Sequence, residues 1–219
     1  MPHGQAGAGH ATAGDMPALL QQLMATHIAV ASTFEAIVRV LRSNYDPALF
    51  NGAPLDFQVY VAEDFTHPMD EGVSIFLYRI YQNGNYRTPA GKLLPNGRRQ
   101  STKLPLDLHF LMTAWAKKAS LQHEIVGWMM RVMEDNATLP ASLLNAYQAG
   151  VFAPDETVEI GLTELSVEDM FHVWEVMINH VYQLSVPYQA RMVEIESSLL
   201  TPGAMPIQER KPDMRRIDS

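Results

Sequence analysis

The stretch Gly72-Val-Ser-Ile-Phe-Leu-Tyr-Arg-Ile-Tyr81 constrains this chain more than any other. Large apolar side chains occupy both alternating sets of its positions. Successive strand residues face opposite sides of a sheet, so the run predicts a strand lying centrally in a sheet and covered on both faces. Asn83-Gly84-Asn85 ends it with turn chemistry. A second strand follows from Leu104, Leu106, Leu108, Phe110 and Met112, which share one face and leave Asp107 and His109 on the other. Leu55 to Val61 alternates as a half-buried strand, and Val158, Ile160 and Leu162 give another. Tyr188 to Ser197 is read as the last strand, with Pro187 at its start, where a missing N–H is tolerated.

Helical spacing separates these strands. Asp15 can cap a helix with Pro17 in its first turn, followed by Leu19, Leu20, Leu23 and Met24. The apolar stripe resumes at Ile28, Phe34, Ile37, Val38 and Leu41 and ends before Asn44, as one helix or two. Leu121, Ile125, Trp128, Met129 and Val132 form a second stripe, and a short helix fits 140–149. Ser166-Val-Glu-Asp169 resembles a capping box ahead of Met170, Trp174, Met177 and Val181. The order α-β-β-β-α-(α)-β-α-β does not alternate strictly. It predicts an α+β fold, a mixed and mostly antiparallel sheet flanked by helices.

Residues 15–199 are expected to form a single domain, with a disordered tail at 1–14 and a flexible tail at 200–219. No run approaches the length of an apolar membrane helix, and the first residues lack the basic start and apolar stretch of a secretory signal. A protein made and used in the cytoplasm is expected. The chain has no cysteine, which excludes disulfides, a thiol nucleophile and cysteine-ligated metals.

Charge is unevenly placed. The formal net charge is −8, which argues against nucleic-acid binding. From Gly72 to Leu106 every charge is positive: Arg79, Arg87, Lys92, Arg98, Arg99 and Lys103. From Val132 to Ala190 every charge is negative, among them Glu134, Glu156, Glu164, Glu168 and Glu175. Either these are solvated faces that differ in sign, or the basic part of one copy faces the acidic part of the next. Residues 83–103 read as a long basic loop whose length suggests a function. Its Arg87, Lys92, Arg98, Arg99 and Lys103 are the candidate interface residues, set against an acidic partner.

Motifs for catalysis are lacking. His123-Glu124 has no second histidine four residues on, and His172 and His180 lie too far apart to share a metal alone. Asp107 and His109 share a strand face that a triad could use, but no strained serine turn accompanies them. No enzyme activity, cofactor or metal is expected. The methionines and tryptophans mostly fit apolar faces, as core.

Four blocks in order carry a resemblance: Gly72 to Arg87, Leu104-Pro-Leu-Asp-Leu-His-Phe-Leu-Met-Thr-Ala114, Gln122-His-Glu-Ile-Val-Gly-Trp-Met-Met130, and Leu165-Ser-Val-Glu-Asp-Met-Phe-His-Val-Trp174. Together the chain, from about Ile28 to Ser197, resembles the cap or tail-terminator proteins of extracellular contractile injection systems, phage-tail-like particles of the antifeeding-prophage and virulence-cassette type. That family usually shows Tyr where Phe110 and Trp115 stand. The resemblance implies a phage tail-terminator fold without catalysis. It also implies a homo-oligomeric ring, a hexamer, that caps the non-baseplate end, stops the inner tube and anchors the last sheath layer. Its partners would be other copies of itself and the tube and sheath proteins, with no membrane insertion, in a particle assembled in the cytoplasm and open to release outside the cell. A baseplate or adaptor component of the same particle is the alternative.

Overall fold

The structure is a computed structural model that describes residues 27–84, 98–100, 103–177, 182–196 and 200–202. For 98–100, 176–177 and 200–202 only the backbone is described. The elements run α1 (Ala29–Asn44), β1 (Asp56–Tyr60), β2 (Gly72–Gln82), β3 (Arg98–Gln100), β4 (Leu104–Trp115), α2 (Ala119–Asp135), β5 (Thr138–Pro140), α3 (Ala141–Leu144), β6 (Thr157–Leu162), α4 (Val167–Met177), β7 (Ser185–Ile195) and β8 (Leu200–Pro202). Short 3-10 turns fill Pro47–Phe50 and Ala62–Thr66. The helix expected from Asp15 through Met24, and the tail at 1–14, lie outside the described residues.

Six strands form one sheet in the order β1-β2-β4-β7-β6-β5, and β3 pairs with β8 in a second, two-stranded sheet. β1 runs parallel to β2, and every other pairing is antiparallel. The α+β architecture with a mostly antiparallel, helix-flanked sheet is therefore the one expected from the sequence. Three short strands and two 3-10 turns were not foreseen.

One face of the sheet carries the main core. α1 lays Phe34, Ile37, Val38 and Leu41 onto it, and α2 adds Ile125, Met129, Val132 and Met133 at helical spacing. β4 meets them with Leu106, Leu108, Phe110 and Met112, the face read from its alternation. The Phe110 ring stands edge-on to Phe34 at 5.3 Å and stacks on Tyr188 at 5.9 Å. Among the described residues the opposite face is covered at one end. There α4 and the Ala62–Thr66 turn cluster Met170 and Trp174 with Tyr60, Phe65, Leu111 and Trp115.

This partial cover corrects two expectations. β2 is second from the edge, not central, and its burial fades along its length. Gly72 to Ile75 are buried, whereas Arg79 to Gln82 are exposed. Tyr78 is the extra residue of a bulge between Leu77 and Arg79, which lets apolar residues occupy both faces without both being covered. Pro187 lies within β7 opposite Leu111, not at its start. Its carbonyl accepts from the Thr163 amide at 3.1 Å, just past the end of β6.

Both outer strands are short. On β1 the Phe57 carbonyl accepts from Arg42 Nη2 at 2.7 Å, and its amide donates to Asp56 Oδ1 at 2.7 Å. β5, on the other rim, has three residues and ends in Pro140, which has no amide proton.

Candidate assembly interface

The basic segment leaves the sheet at the end where β2 finishes and β4 begins. Here β4 and β7 run on past β2: Leu104 pairs with Ile195, and beyond a gap Gln100, Arg99 and Arg98 pair with Leu200, Thr201 and Pro202. β3 and β8 thus prolong the β4–β7 ribbon into an arm. The span expected as a continuous loop at 83–103 contains a strand, and the tail expected to begin at residue 200 begins in paired backbone. Arg98 and Arg99 sit on this arm. Arg87 and Lys92 lie outside the described residues.

Lys103 is placed differently from the expectation of a cation offered to a neighbour. It stands at the base of the arm, where its ammonium meets three carboxylates of its own chain. It pairs with Glu156, with Glu194 Oε2 at 2.9 Å and with Glu196 Oε1 at 3.0 Å. Burial disfavours its charge, but hydrogen bonds to Glu156, Glu194 and Glu196 outweigh that and raise its pKa. The stabilisation is therefore complete below the ordinary lysine value and is lost only as pH climbs through the raised one. Lys103→Met should lower unfolding stability at pH 7 by about 1 kcal/mol, because the site is partly open and screened. The loss should shrink in high salt, and paired denaturant titrations at low and high salt would check it. The sequence signal for this cluster was present as Glu194 and Glu196, two residues apart near the end of β7, but cross-strand register was needed to bring Lys103 to them.

The acidic side lies at the other end. Ser166 caps α4 as expected, with Oγ accepting from the Asp169 amide at 3.0 Å and donating to Asp169 Oδ2 at 2.7 Å. Asp169 and Glu168 stand in the first turn, where the helix dipole favours them. Glu164, Glu168 and Glu175 are exposed. So are Val167 and Phe171, one turn apart on the same helix, which sequence periodicity did not single out.

Between the two ends, side chains of the outer sheet face pack on one another with no helix of the described residues over them. His109 lies edge-on to Tyr81 at 5.1 Å and Tyr78 at 6.3 Å, and the Arg79 guanidinium sits 4.1 Å from the Tyr81 ring centre. With its amide oriented towards Arg191, Gln189 accepts from that side chain at 2.5 and 2.8 Å. Burial holds the His109 pKa below the usual imidazole value. Asp107 pulls it up, and Arg79 and Arg191 press it down. Asp107 itself serves the backbone. Its Oδ1 accepts from the Met192 amide at 3.3 Å, and Asn83 Nδ2 donates to both its oxygens at 3.0 and 3.2 Å. Met192 has φ 65, in the left-handed region, at the bulge that shifts β7 register against β4. Asp107 and His109 share a face as the alternation predicted, yet Asp107 fixes a bulge and His109 packs between tyrosines.

Among the described residues no group of three or more metal-ligating side chains converges, and no helix is long and apolar enough to cross a membrane. The described surface carries an arm with Arg98 and Arg99, an aromatic patch on the outer sheet face and an acidic helix.

A family model described as the Pvc16 N-terminal domain matches residues 32–209. No curated protein sequence matches the chain. Among solved structures, the sheath/tube terminator of an extracellular contractile injection system, PVC, in its extended state is similar with a TM-score of 0.59 and 16% identity, over 87% of this chain and 64% of that one. The cryo-EM structure of the anti-feeding prophage cap, a tube-terminating cap, is similar with a TM-score of 0.56 and 13% identity, over 80% of this chain and 58% of that one. The chain thus spans about three-fifths of the length of those proteins, and at these identities the likeness is one of fold.

Proposed function

We propose, because the chain belongs to the Pvc16 N-terminal domain family, that it is a structural cap of a contractile injection system. In this reading copies form a ring, a homohexamer, on the end of the particle away from the baseplate. The ring ends growth of the inner tube, holds the last layer of sheath, and transforms no substrate. The particle assembles in the cytoplasm, whether or not it is later released.

The observation that carries this reading is the family match over most of the chain, joined to a fold shared with two terminating caps. The surface suits the role. A growing tube presents a face that the next layer must match. A ring that matches that face on one side and presents different chemistry on the other stops addition. The charge of this molecule is polar along its length, with the arm carrying Arg98 and Arg99 at one end and Glu164, Glu168 and Glu175 at the other, which suits copies set head to tail around such a ring.

Particles made without this protein should show tubes of uncontrolled length with unanchored sheath, measured on electron micrographs. A gold label on the chain should lie at the end opposite the baseplate. Particles that close at their usual length without it would overturn the reading, and a label at the baseplate would move the chain to that end of the particle.

A further inference from the structure

α4 covers its end of the sheet with Met170 and Trp174 and leaves Val167 73% and Phe171 53% exposed. Tyr182, 43% exposed, lies against Phe171 with ring centroids 5.3 Å apart. These three side chains make one apolar strip, since residues four apart on a helix are neighbours. Exposed Glu164, Glu168 and Glu175 surround it, and no Lys or Arg occurs between Arg131 and Arg191. An apolar strip with an acidic rim is complementary to a segment that sets apolar residues among cations.

The chain carries such a segment. Residues 85–99 hold Arg87, Lys92, Arg98 and Arg99 with no acidic residue, and Leu93-Leu94 follow Lys92 directly. Its two ends, at Gly84 and Arg98, are at the opposite end of the sheet from α4. α4 packs on Leu111 and Trp115, whereas the arm departs beyond Leu104. From Leu104 to Leu111 is about 23 Å of strand, and the arm leads further away. The charges are thus separated along the strand direction, an arrangement that a second copy placed head to tail satisfies.

We propose that residues 85–97 of one copy dock on α4 of a neighbouring copy, with Leu93 and Leu94 on the Val167–Phe171–Tyr182 strip and Arg87 and Lys92 against its glutamates. This contact is heterologous, the type that closes into a ring when its rotation permits. It rests on the ring reading above and names the two surfaces that meet in that ring.

The chain lacks cysteine, so introduced thiols report contacts without background. Leu94→Cys and Val167→Cys are made as separate full-length proteins and mixed under mild oxidation. Disulfide-linked dimer in the mixture should exceed that of either protein alone about tenfold, because docking raises the local thiol concentration. Reversing Glu168 and Glu175 to Lys, or Arg87 and Lys92 to Glu, should each weaken self-association about tenfold. Combining both reversals should restore it. No excess cross-link, or reversed proteins that associate like the parent, overturns the proposal. So does a Leu94→Cys/Val167→Cys double variant that closes within a single chain. Sedimentation of the unaltered chain with tube and sheath proteins separates the two levels. Rings that form without the cross-link discard this contact and leave the cap reading standing, whereas a chain that stays single discards both.

Discussion

Gly72→Ala is expected to destabilise the fold by about 3 kcal/mol or more. Gly72 has φ 147, where side chains are strained, and a Cβ built there would lie 2.0 Å from the Asp56 carbonyl oxygen. Its other near neighbours are also Asp56 backbone, at 2.7 and 2.8 Å. Backbone cannot rotate aside as a flexible side chain would. β1 pairs with β2 through this point, Asp56 opposite Gly72, so the methyl group pries the parallel strand off the sheet. Gly127→Ala is the matched control. It lies mid-helix in α2 with nothing within 4 Å, and alanine there should stabilise by about 1 kcal/mol. Denaturant unfolding of both variants checks the pair, and an unchanged midpoint for Gly72→Ala would refute the steric account.

Trp115→Ala should cost about 4 kcal/mol. Trp115 closes the second core. Its ring meets Tyr60 at 6.2 Å, Phe65 at 6.1 Å and Trp174 at 6.3 Å, and its Nε1 donates to buried Ser74 Oγ at 2.8 Å. Alanine leaves a cavity under α4 and a buried hydroxyl without its partner. Because Trp174 is the other large anchor of α4, the acidic helix should loosen with it. With α4 docked as proposed above, self-association should fall together with stability, measured by sedimentation beside thermal unfolding. Trp115→Tyr keeps an aromatic ring and should cost about half as much or less. Equal losses for Ala and Tyr would place the weight on the indole hydrogen bond instead of the packing.

The sequence was legible wherever one periodicity ruled a whole element. α1, α2, β4, β6 and the capping box before α4 all fall where alternation or helical spacing places them. β2 was misplaced because alternation counts which faces carry apolar residues, not what covers them. Leu77 belongs to the main core, while Tyr81, further along the same strand, is exposed. β3, β5 and β8 have three residues each, too few to show a period, and exist through pairing with distant partners. The interface was legible as charge but not as geometry. Lys103 looked like its basic neighbours in sequence, and only the register of β4 against β7 turned it inward to Glu194 and Glu196. On α4 the stripe residues Met170 and Trp174 are buried as read, while Phe171, which the stripe left out, stays exposed.

The treatment of the two outermost strands has a consequence for what the molecule must not do. A sheet with a long open rim invites identical sheets to add side by side without limit. Here Arg42 and the Asp56 carboxylate occupy the Phe57 main chain on one rim, and the other is three residues ending in Pro140. The outermost strands of the six-stranded sheet therefore give little free main chain for open-ended side-by-side addition, which suits the end-capping role proposed above.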